Sequence, residues 1–190
     1  MSPLEVLGAA SGALAVWLTA RENVWCWPVG LVNVAVYALV FRDAKLYADM
    51  GLQGIYFALC LYGWWAWLRG GAARGRLAVS RAPRAVLAAC VFLGVAFAAA
   101  LGFFLHARTD AALPFWDAGT TSFSLAAQFL QTRKWIENWP LWIAVDTVYV
   151  GMYIVKRLYL TAGLYALFLV LAGIGLVAWR RSLAGSGAAS

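Results

Sequence analysis

Charged residues are scarce in this chain, and hydrophobic residues dominate it. Asp, Glu, Lys and Arg together make up 12% of its 190 residues, whereas 64% are hydrophobic. Soluble domains have roughly a quarter charged and half apolar residues, and a soluble fold of this length has too little interior for so much apolar surface. The composition therefore argues against a cytosolic enzyme, a secreted domain, a disordered chain or a coiled coil, and it favours an integral membrane protein.

Residues that could hold a metal or perform nucleophilic catalysis are also few. The chain has one histidine, His106, and three cysteines, Cys26, Cys60 and Cys90, which lie within apolar runs and form no CxxC pair. The sequence contains no P-loop, no Ser-His-Asp set and no dinucleotide-binding GxGxxG motif. We therefore predict no metal site, no cofactor and no enzymatic activity.

Long apolar runs are abundant. Seven of them, each close to the ~17–25 residues that a membrane-spanning helix needs, are separated by polar connections. Their approximate bounds are 2–20, 25–41, 48–68, 85–105, 114–131, 137–154 and 160–179. None of them alternates apolar and polar residues with the period that a membrane barrel requires. We predict an all-α integral membrane protein with seven transmembrane helices.

Positive charge is concentrated in the connections between these runs. The formal net charge is +7, but cytoplasmic loops of membrane proteins carry such an excess of Lys and Arg, so we expect no nucleic-acid partner. With seven spans, ten Lys and Arg fall on the side of the C-terminus and five on the other side. The prediction is an N-terminus outside and a C-terminus in the cytoplasm.

The sequence repeats itself at a spacing of 112 residues. Trp27-Pro28 aligns with Trp139-Pro140, and the other aligned pairs include Tyr37 and Tyr149, Gly63 and Gly175, Trp67 and Trp179, and Arg69 and Arg181. Residues of these types seldom coincide by chance, so spans one to three recur as spans five to seven. Because one extra span separates the two triplets, we expect 3+1+3 parallel repeats around a central substrate site.

This organisation divides the chain into five segments. They are a first three-helix repeat, a basic linker, a connecting transmembrane helix, a second three-helix repeat and a disordered tail, at 1–69, 70–84, 85–112, 113–181 and 182–190. Transporters built from such repeats bind their substrate near the middle of the membrane, between the repeats. A duplicated membrane scaffold without a transport path is the alternative.

Polar side chains inside the apolar runs mark the candidate site, because such groups are costly in a bilayer. At steps of three and four, the second, third, fifth and sixth runs each place polar residues on one face. The larger groups are Asn33, Gln53, Gln128 and Asp146. Hydrogen bonding between helices is enough to explain the small hydroxyl side chains. For the four larger groups we favour a central hydrated pocket, with helix packing as the alternative.

Two tryptophans differ from those at the ends of the runs. Trp139 and Trp142 share a face with Asp146 and Tyr149 and follow Asn138. Flat rings beside amides and a carboxylate suit a flat heteroaromatic ligand. Lys and Arg are absent from these faces, so a phosphate would have no positive partner. The expected substrate is therefore neutral or cationic, and a cationic ring would gain cation–π attraction.

Two stretches resemble the PnuC family of vitamin transporters: WCWPVGLVNVAVYALVFRDAKLYADMGLQGIYFALCLYGWWAW, residues 25–67, and ENWPLWIAVDTVYVGMYIVKRLYLTAGLYALF, residues 137–168. The motifs are the WP-x-G opening, K-L-Y-x-D-M-G-L-Q, Y-G-W-x-x-W and E-N-W-P-x-W-x-x-x-D. The resemblance implies a 3+1+3 fold related to the sugar-transporting SWEET proteins. It also implies uptake of nicotinamide riboside by facilitated diffusion across a bacterial inner membrane. A cytosolic kinase would trap the vitamin by phosphorylation, and members can be homotrimers.

The resemblance also implies which residues contact the vitamin. They would come from four spans: Trp27, Gln53, Tyr56, Gln128, Asn138, Trp139, Trp142 and Asp146. With Asn33 and Tyr149 from the polar faces, they form the predicted substrate site. Relatives of the same architecture carry thiamine or riboflavin, and amides that can bind ribose hydroxyls favour nicotinamide riboside. Nothing in the sequence demands ion coupling, although Asp146 could cycle a proton.

Overall fold

The computed structural model of the chain describes residues 3–43, 47–71, 75–109 and 113–187. Within these ranges the chain forms seven α-helices. They are α1 Pro3–Ala20, α2 Cys26–Asp43, α3 Tyr47–Arg69, α4 Arg84–Arg108, α5 Pro114–Thr132, α6 Asn138–Val155 and α7 Tyr159–Gly187. Proline stands in the first turn of α1 and α5, where its missing N–H costs no helical hydrogen bond. The prediction of a mostly helical chain is confirmed.

The helices coincide with the apolar runs to within a few residues, except at the C-terminal end. There α7 continues to Gly187, into the segment 182–190 for which the sequence predicts a disordered tail. Leu183 and Ala184 are good helix formers and continue the helix past its apolar part, into a stretch that also contains the weak helix formers Gly185 and Gly187. Residues 188–190, residues 44–46, which include the Lys and Leu of the K-L-Y motif, and residues 110–112 of the predicted connecting segment lie outside the described residues.

Three helices in the described part of the chain are long and apolar enough to cross a membrane, namely α1, α4 and α7. The helices α3, α5 and α6 contain the amides and carboxylates predicted for the site, which lowers their hydropathy. Large hydrophobic side chains are exposed on the outer surfaces, and Phe92 and Val155 are each 73% exposed. Such surfaces suit contact with acyl chains better than contact with water.

Six of the helices pack in a closed sequence of neighbours. In order, α1 packs on α2, α2 on α3, α3 on α5, α5 on α6, α6 on α7, and α7 again on α1. The remaining helix, α4, lies outside this ring against α5. There the Ser122 hydroxyl donates a hydrogen bond of 2.7 Å to the Gly94 carbonyl. Phe123 also lies over Gly94, where a Cβ would come within 3.0 Å of its ring.

Four tryptophans form the core at one end of the ring, which we call the tryptophan end: Trp27, Trp67, Trp139 and Trp179. The rings of Trp27 and Trp67 meet edge to face at 5.4 Å and 88°, and those of Trp139 and Trp179 do so at 5.3 Å and 86°. The Trp67 and Trp179 rings lie 5.9 Å apart. Edge-to-face contact is a favoured geometry for aromatic pairs because of the ring quadrupole.

Two glycines accommodate these rings. Gly63 lies against the ring of Trp27, and Gly175 lies against the ring of Trp139, with no room for a Cβ at either position. Each glycine and its tryptophan belong to neighbouring helices, α2 with α3 and α6 with α7. Any other residue would push these helices apart, so glycine is required here for close approach rather than for its backbone freedom.

The two turns that lead into α2 and α6 have the same backbone conformation. Glu22 and Lys134, which follow α1 and α5, have positive φ angles of 54° and 53°. Their backbone N–H groups donate hydrogen bonds of 2.9 Å and 3.0 Å to the carbonyls of Thr19 and Gln131. A left-handed residue at this position lets the chain reverse and satisfies carbonyls at the helix end.

The basic linker predicted at 70–84 crosses the tryptophan end. Leu77 donates its backbone N–H to the Trp67 carbonyl at 3.1 Å, and Ser80 forms an isolated parallel bridge with Trp135. The backbone N–H of Ala82 donates to Glu137 Oε2 at 2.9 Å. The linker is thereby fixed to the turn between α5 and α6.

Candidate functional site

Two equivalent hydrogen bonds join the halves of the chain at the tryptophan end. Trp67 Nε1 donates to the backbone carbonyl of Gln131 at 3.1 Å, and Trp179 Nε1 donates to that of Thr19 at 3.1 Å. The donors are 112 positions apart, and so are the acceptors. Each half therefore donates one indole N–H to a carbonyl of the other half, and the corresponding ends of both halves lie side by side.

Gln131 connects this end to a predicted site residue. Trp142 Nε1 donates to Gln131 Oε1 at 3.1 Å, and Gln131 Nε2 lies 3.5 Å from the Thr19 hydroxyl. Gln131 belongs to the polar face of the fifth run but was not among the predicted site residues. Its amide orients the half-buried Trp142 ring. The position of Gln131 on the polar face of this run is the sequence signal that could have identified it as a site residue.

Farther from the tryptophan end, the helices α3, α5 and α6 bring three predicted site residues together, namely Tyr56, Gln128 and Tyr149. Gln128 Nε2 lies 3.9 Å from Cys60 Sγ, between α5 and α3. The hydroxyl of Tyr56 faces Ser124 and Tyr149, and the hydroxyl of Tyr149 also faces Thr120. We call Tyr56, Cys60, Ser124, Gln128 and Tyr149 the polar centre. It lies where α3, α5 and α6 meet, so residues of both halves contribute to it.

Asp146 lies one helical turn before Tyr149 on α6. Its side chain is 4% exposed, and among the described residues it accepts no hydrogen bond and forms no ion pair. An isolated carboxylate in an apolar environment is costly unless it gains a proton, water or a cationic partner. Gln53, the amide side chain of α3, lies one turn before Tyr56 and is half-buried.

Aromatic rings extend from the polar centre toward the end of the bundle opposite the tryptophans. Tyr165 of α7 lies 4.6 Å from Tyr149 and 5.2 Å from Tyr153, measured between ring centroids. Tyr149 and Tyr153 are stacked with an angle of 16° between their planes. Sequence reasoning missed Tyr165, because its position aligns with Gln53 in the repeat and the two residue types differ.

Asn33 is occupied by contacts within the first half. Its amide nitrogen donates to the Gly8 carbonyl at 2.6 Å and to the Ser11 hydroxyl at 3.2 Å. These bonds tie α2 to α1, which is the helix-packing role considered as the alternative. A contact between Asn33 and a substrate stays a prediction.

Trp27, Asn138 and Trp139 lie in the packed core of the tryptophan end, and none is more than 1% exposed. The Asn138 amide nitrogen donates to the Trp135 carbonyl at 2.6 Å. The indole N–H groups of Trp27 and Trp139 and the Asn138 Oδ1 atom have no hydrogen-bond partner among the described residues. The structure does not bring these three side chains into the polar centre, and their predicted contact with a substrate stays a prediction.

Positive charge in the described residues lies at the helix ends and in the connections. Lys134 pairs with Glu22 at 2.9 Å at the tryptophan end, and Lys156 pairs with Asp117 at 3.5 Å at the opposite end. Asp146 and the polar centre lie between these two levels. An anionic group placed there would meet no fixed cation from the described residues.

Two surface concavities in the described part of the chain lie away from this polar region. One of about 460 Å³ is lined by α7 residues from Val170 to Arg181, and one of about 320 Å³ by α3 residues from Leu61 to Arg69. Both are open, mostly apolar grooves on outer faces, as expected of surfaces that contact acyl chains. Neither includes a predicted site residue.

Comparison with known proteins supplies the family. The family described as nicotinamide mononucleotide transporter matches residues 2–181. The nicotinamide riboside transporter PnuC of Escherichia coli (strain K12) is 30% identical over 207 residues, which cover 96% of this chain and 87% of the relative. The riboflavin/roseoflavin transporter RibM of Streptomyces davaonensis is 29% identical over 147 residues, covering 76% of this chain and 68% of the relative.

A solved structure is also similar to this chain. The crystal structure of the vitamin B3 transporter PnuC has a TM-score of 0.74 and 24% sequence identity, over 95% of this chain and 81% of its own. This likeness extends over nearly all of the described helices, so the two chains share a fold.

Proposed function

Because the chain belongs to the nicotinamide mononucleotide transporter family, we propose that its own substrate is nicotinamide riboside. The family is one of transporters and not of enzymes, and the chain is a multi-pass membrane protein that takes a small-molecule substrate. The observation that carries the choice of substrate is the similarity to the Escherichia coli nicotinamide riboside transporter over 96% of the chain.

The charge of the polar region favours the riboside over its phosphorylated form. The nicotinamide ring of the riboside is cationic, and the buried Asp146 carboxylate lacks a partner among the described residues. A cationic ring beside Asp146 and the tyrosines would compensate that charge and gain cation–π attraction. A phosphate would be desolvated with no Lys or Arg at this level, which is costly.

The proposed site contains all ten residues predicted from the sequence. Gln53, Tyr56, Gln128, Trp142, Asp146 and Tyr149 are available at or near the polar centre. Trp27, Asn33, Asn138 and Trp139 would contact the vitamin only after the packing around them loosens. The amides would bind the ribose hydroxyls, and the rings would stack on the nicotinamide.

The proposed architecture has seven membrane-spanning helices in two parallel repeats, 1–69 and 113–181. The segment 70–84 and the helix of 85–112 would join them. The shared fold of the PnuC structure and the equivalent contacts of the two halves support this arrangement. The excess of Lys and Arg on the side of the linker supports a C-terminus in the cytoplasm and an N-terminus outside, in a bacterial inner membrane.

Transport would be facilitated diffusion, with the two repeats moving relative to each other around the bound vitamin. A cytosolic kinase would phosphorylate the riboside and prevent its return. A homotrimer is the proposed assembly. Riboflavin is the second candidate substrate, because RibM matches 76% of this chain, and thiamine is the third since its ring is also cationic.

Binding to the purified protein tests this proposal. The panel is nicotinamide riboside, nicotinamide mononucleotide, thiamine and riboflavin, measured by calorimetry in detergent or nanodiscs. We expect a dissociation constant of about 1 μM or lower for the riboside, equivalent to about −8 kcal/mol, and no binding of the mononucleotide. Tight binding of the mononucleotide would contradict the charge argument, and preferential binding of riboflavin would select the second candidate.

A further inference from the structure

Glu22 and Lys134 face each other at the tryptophan end. Lys134 Nζ lies 2.9 Å from Glu22 Oε2, and the side chains are 8% and 27% exposed for Lys134 and Glu22. The two residues are 112 positions apart, so they occupy the same position in the two halves. Gln131 and Thr19, which also meet, have the same spacing. Equivalent positions touch only where the two halves face each other, on the axis that relates them.

The position of this pair bears on the transport path. A substrate that moves between two parallel repeats moves along their common axis, so side chains that meet on the axis obstruct it. The reciprocal bonds from Trp67 and Trp179 close the same level on either side of the pair. In this structure the tryptophan end is therefore shut.

The chemistry of the pair suits a contact that has to break. Two copies of one charged residue on the axis would repel, and this chain instead places an acid in one half and a base in the other. A mostly buried ion pair contributes little net stability compared with apolar packing, because both charges lose water. When the end opens, water can hydrate both groups again, so the cost of separating them is limited.

Lys134 also holds the linker across this end. Its Nζ donates to the Leu77 carbonyl at 3.0 Å and lies 4.7 Å from the centre of the Trp67 ring. Ser80 bonds to the backbone of Lys134 and Ile136 at 3.2 Å and 3.0 Å. One ammonium group thus joins the first half, the second half and the linker.

We propose that Glu22 and Lys134 form an ionic gate that closes this end of the transport path, with residues 77–82 held across it by the same lysine. The identity of the substrate that passes through this gate rests on the proposed function, whereas the existence of the gate does not. In the proposed orientation this is the cytoplasmic gate, and its opening releases the vitamin into the cell.

Labelling of a native cysteine measures the opening. Cys26 is 3% exposed and lies beside Thr19 and Lys134, just inside the proposed gate. The full chain in nanodiscs is treated with a water-soluble maleimide, and labelling of each cysteine is followed by mass spectrometry.

We expect Glu22→Gln and Lys134→Met each to raise the labelling rate at Cys26 about tenfold, because loss of one partner shifts the population toward the open form. Glu22→Lys, which opposes two lysines, should raise it further.

The exchanged pair separates a gate from general loosening. Glu22→Lys combined with Lys134→Glu restores opposite charges on the axis, so labelling should fall well below that of Glu22→Lys alone. It should stay above the wild-type rate, because the bond from Lys134 to Leu77 is lost. Cys90, which lies on α4 outside the ring of helices, should keep its wild-type labelling rate throughout. The gate is refuted if the single variants leave Cys26 labelling unchanged, if the exchange rescues nothing, or if Cys90 labelling rises in parallel.

A matched ion pair at the other end serves as the control. Asp117 of α5 and Lys156, which directly follows α6, belong to the same half and are about a third exposed. Asp117→Asn should leave Cys26 labelling at the wild-type rate, and an increase equal to that of Glu22→Gln would overturn the proposal. Binding of nicotinamide riboside is measured separately. A chain that does not bind it but shows the labelling pattern loses the proposed function and keeps the gate.

Discussion

The two halves of the molecule are nearly interchangeable at the tryptophan end and differ in kind at the polar centre. At the tryptophan end each glycine, indole and reversing turn has a counterpart 112 positions away with the same contacts. Around the polar centre, Ser124, Gln128 and Asp146 align with Gly12, Val16 and Val34.

This difference between the two regions reflects two separate requirements, which are the joining of two similar halves and the binding of a small molecule. Joining two like halves needs a surface that fits its own copy, and a duplicated surface provides it. Binding one small asymmetric molecule needs donors and acceptors on particular sides, and two identical halves would offer each of them twice. Most of the larger polar groups lie on α3, α5 and α6. The positions of α1 and α2 that align with Ser124, Gln128 and Asp146 have small or apolar side chains instead.

The largest effect is expected where the halves are alike. Gly63→Ala and Gly175→Ala each place a Cβ against a fully buried tryptophan ring. Overpacking of this kind costs about 1–3 kcal/mol, and we expect values near 3 kcal/mol at both positions. Thermal unfolding in detergent, followed by loss of the monodisperse elution peak, measures the change.

Gly54→Ala is the matched control for these variants. Gly54 lies on α3, the helix of Gly63, and a Cβ there meets nothing within 4 Å. It should be neutral or stabilising by up to about 1 kcal/mol, because alanine favours a helix. A large loss at Gly63 with none at Gly175 would show that the halves are not equivalent in packing.

Asp146→Asn tests the region where the halves differ. We expect nicotinamide riboside to bind about tenfold more weakly, or ~1.4 kcal/mol, because its cationic ring loses a buried countercharge. The ligand-free protein should be as stable as wild type or more so, since an unpaired buried carboxylate is removed. Calorimetry and thermal unfolding of the same preparation give both values.

Two controls accompany Asp146→Asn: a substitution of a distant carboxylate, and binding of a ligand without positive charge. Asp117→Asn should leave binding of the riboside unchanged, because that residue lies at the far end of α5 and pairs with Lys156. If the chain binds riboflavin, its affinity should not change in Asp146→Asn. Unchanged binding of the riboside in Asp146→Asn would contradict the proposed place of the cationic ring.

Much of the fold could be predicted from the sequence because apolar runs of this length have few other uses. The bounds 48–68 and Tyr47–Arg69 differ by a residue at each end. The repeat can be recognised in the sequence because its Trp and Gly residues are placed by close packing, so the same residue types recur at the same spacing. The contact between Glu22 and Lys134 could not be predicted in this way, because aligned residues of opposite charge do not look like a repeat.

The candidate site was harder to predict, because helical periodicity gives the face of a residue and not what packs against that face. Trp139 and Asp146 share a face of α6, yet Trp139 lies under Gly175 in the core and Asp146 lies near the polar centre. Asn33 likewise lies on a polar face, and its donors are used by the neighbouring α1. Only the packing of the helices against each other decides between these outcomes.

The smallest effect is expected from the reciprocal indole bonds. Trp67→Phe and Trp179→Phe each remove one hydrogen bond between the halves, at about 1 kcal/mol, and keep most of the aromatic packing. The two single losses should agree within about 0.5 kcal/mol, because the bonds have the same length and equivalent surroundings. Thermal unfolding of the two single variants and the double variant measures this.

If the bonds act together to hold the halves, the double variant loses less than the sum of the singles, since the first loss already loosens the second contact. A double variant that loses the full sum would mean that the two bonds hold the halves independently of each other, and the tryptophan end would then consist of two separate contacts rather than one cooperative surface.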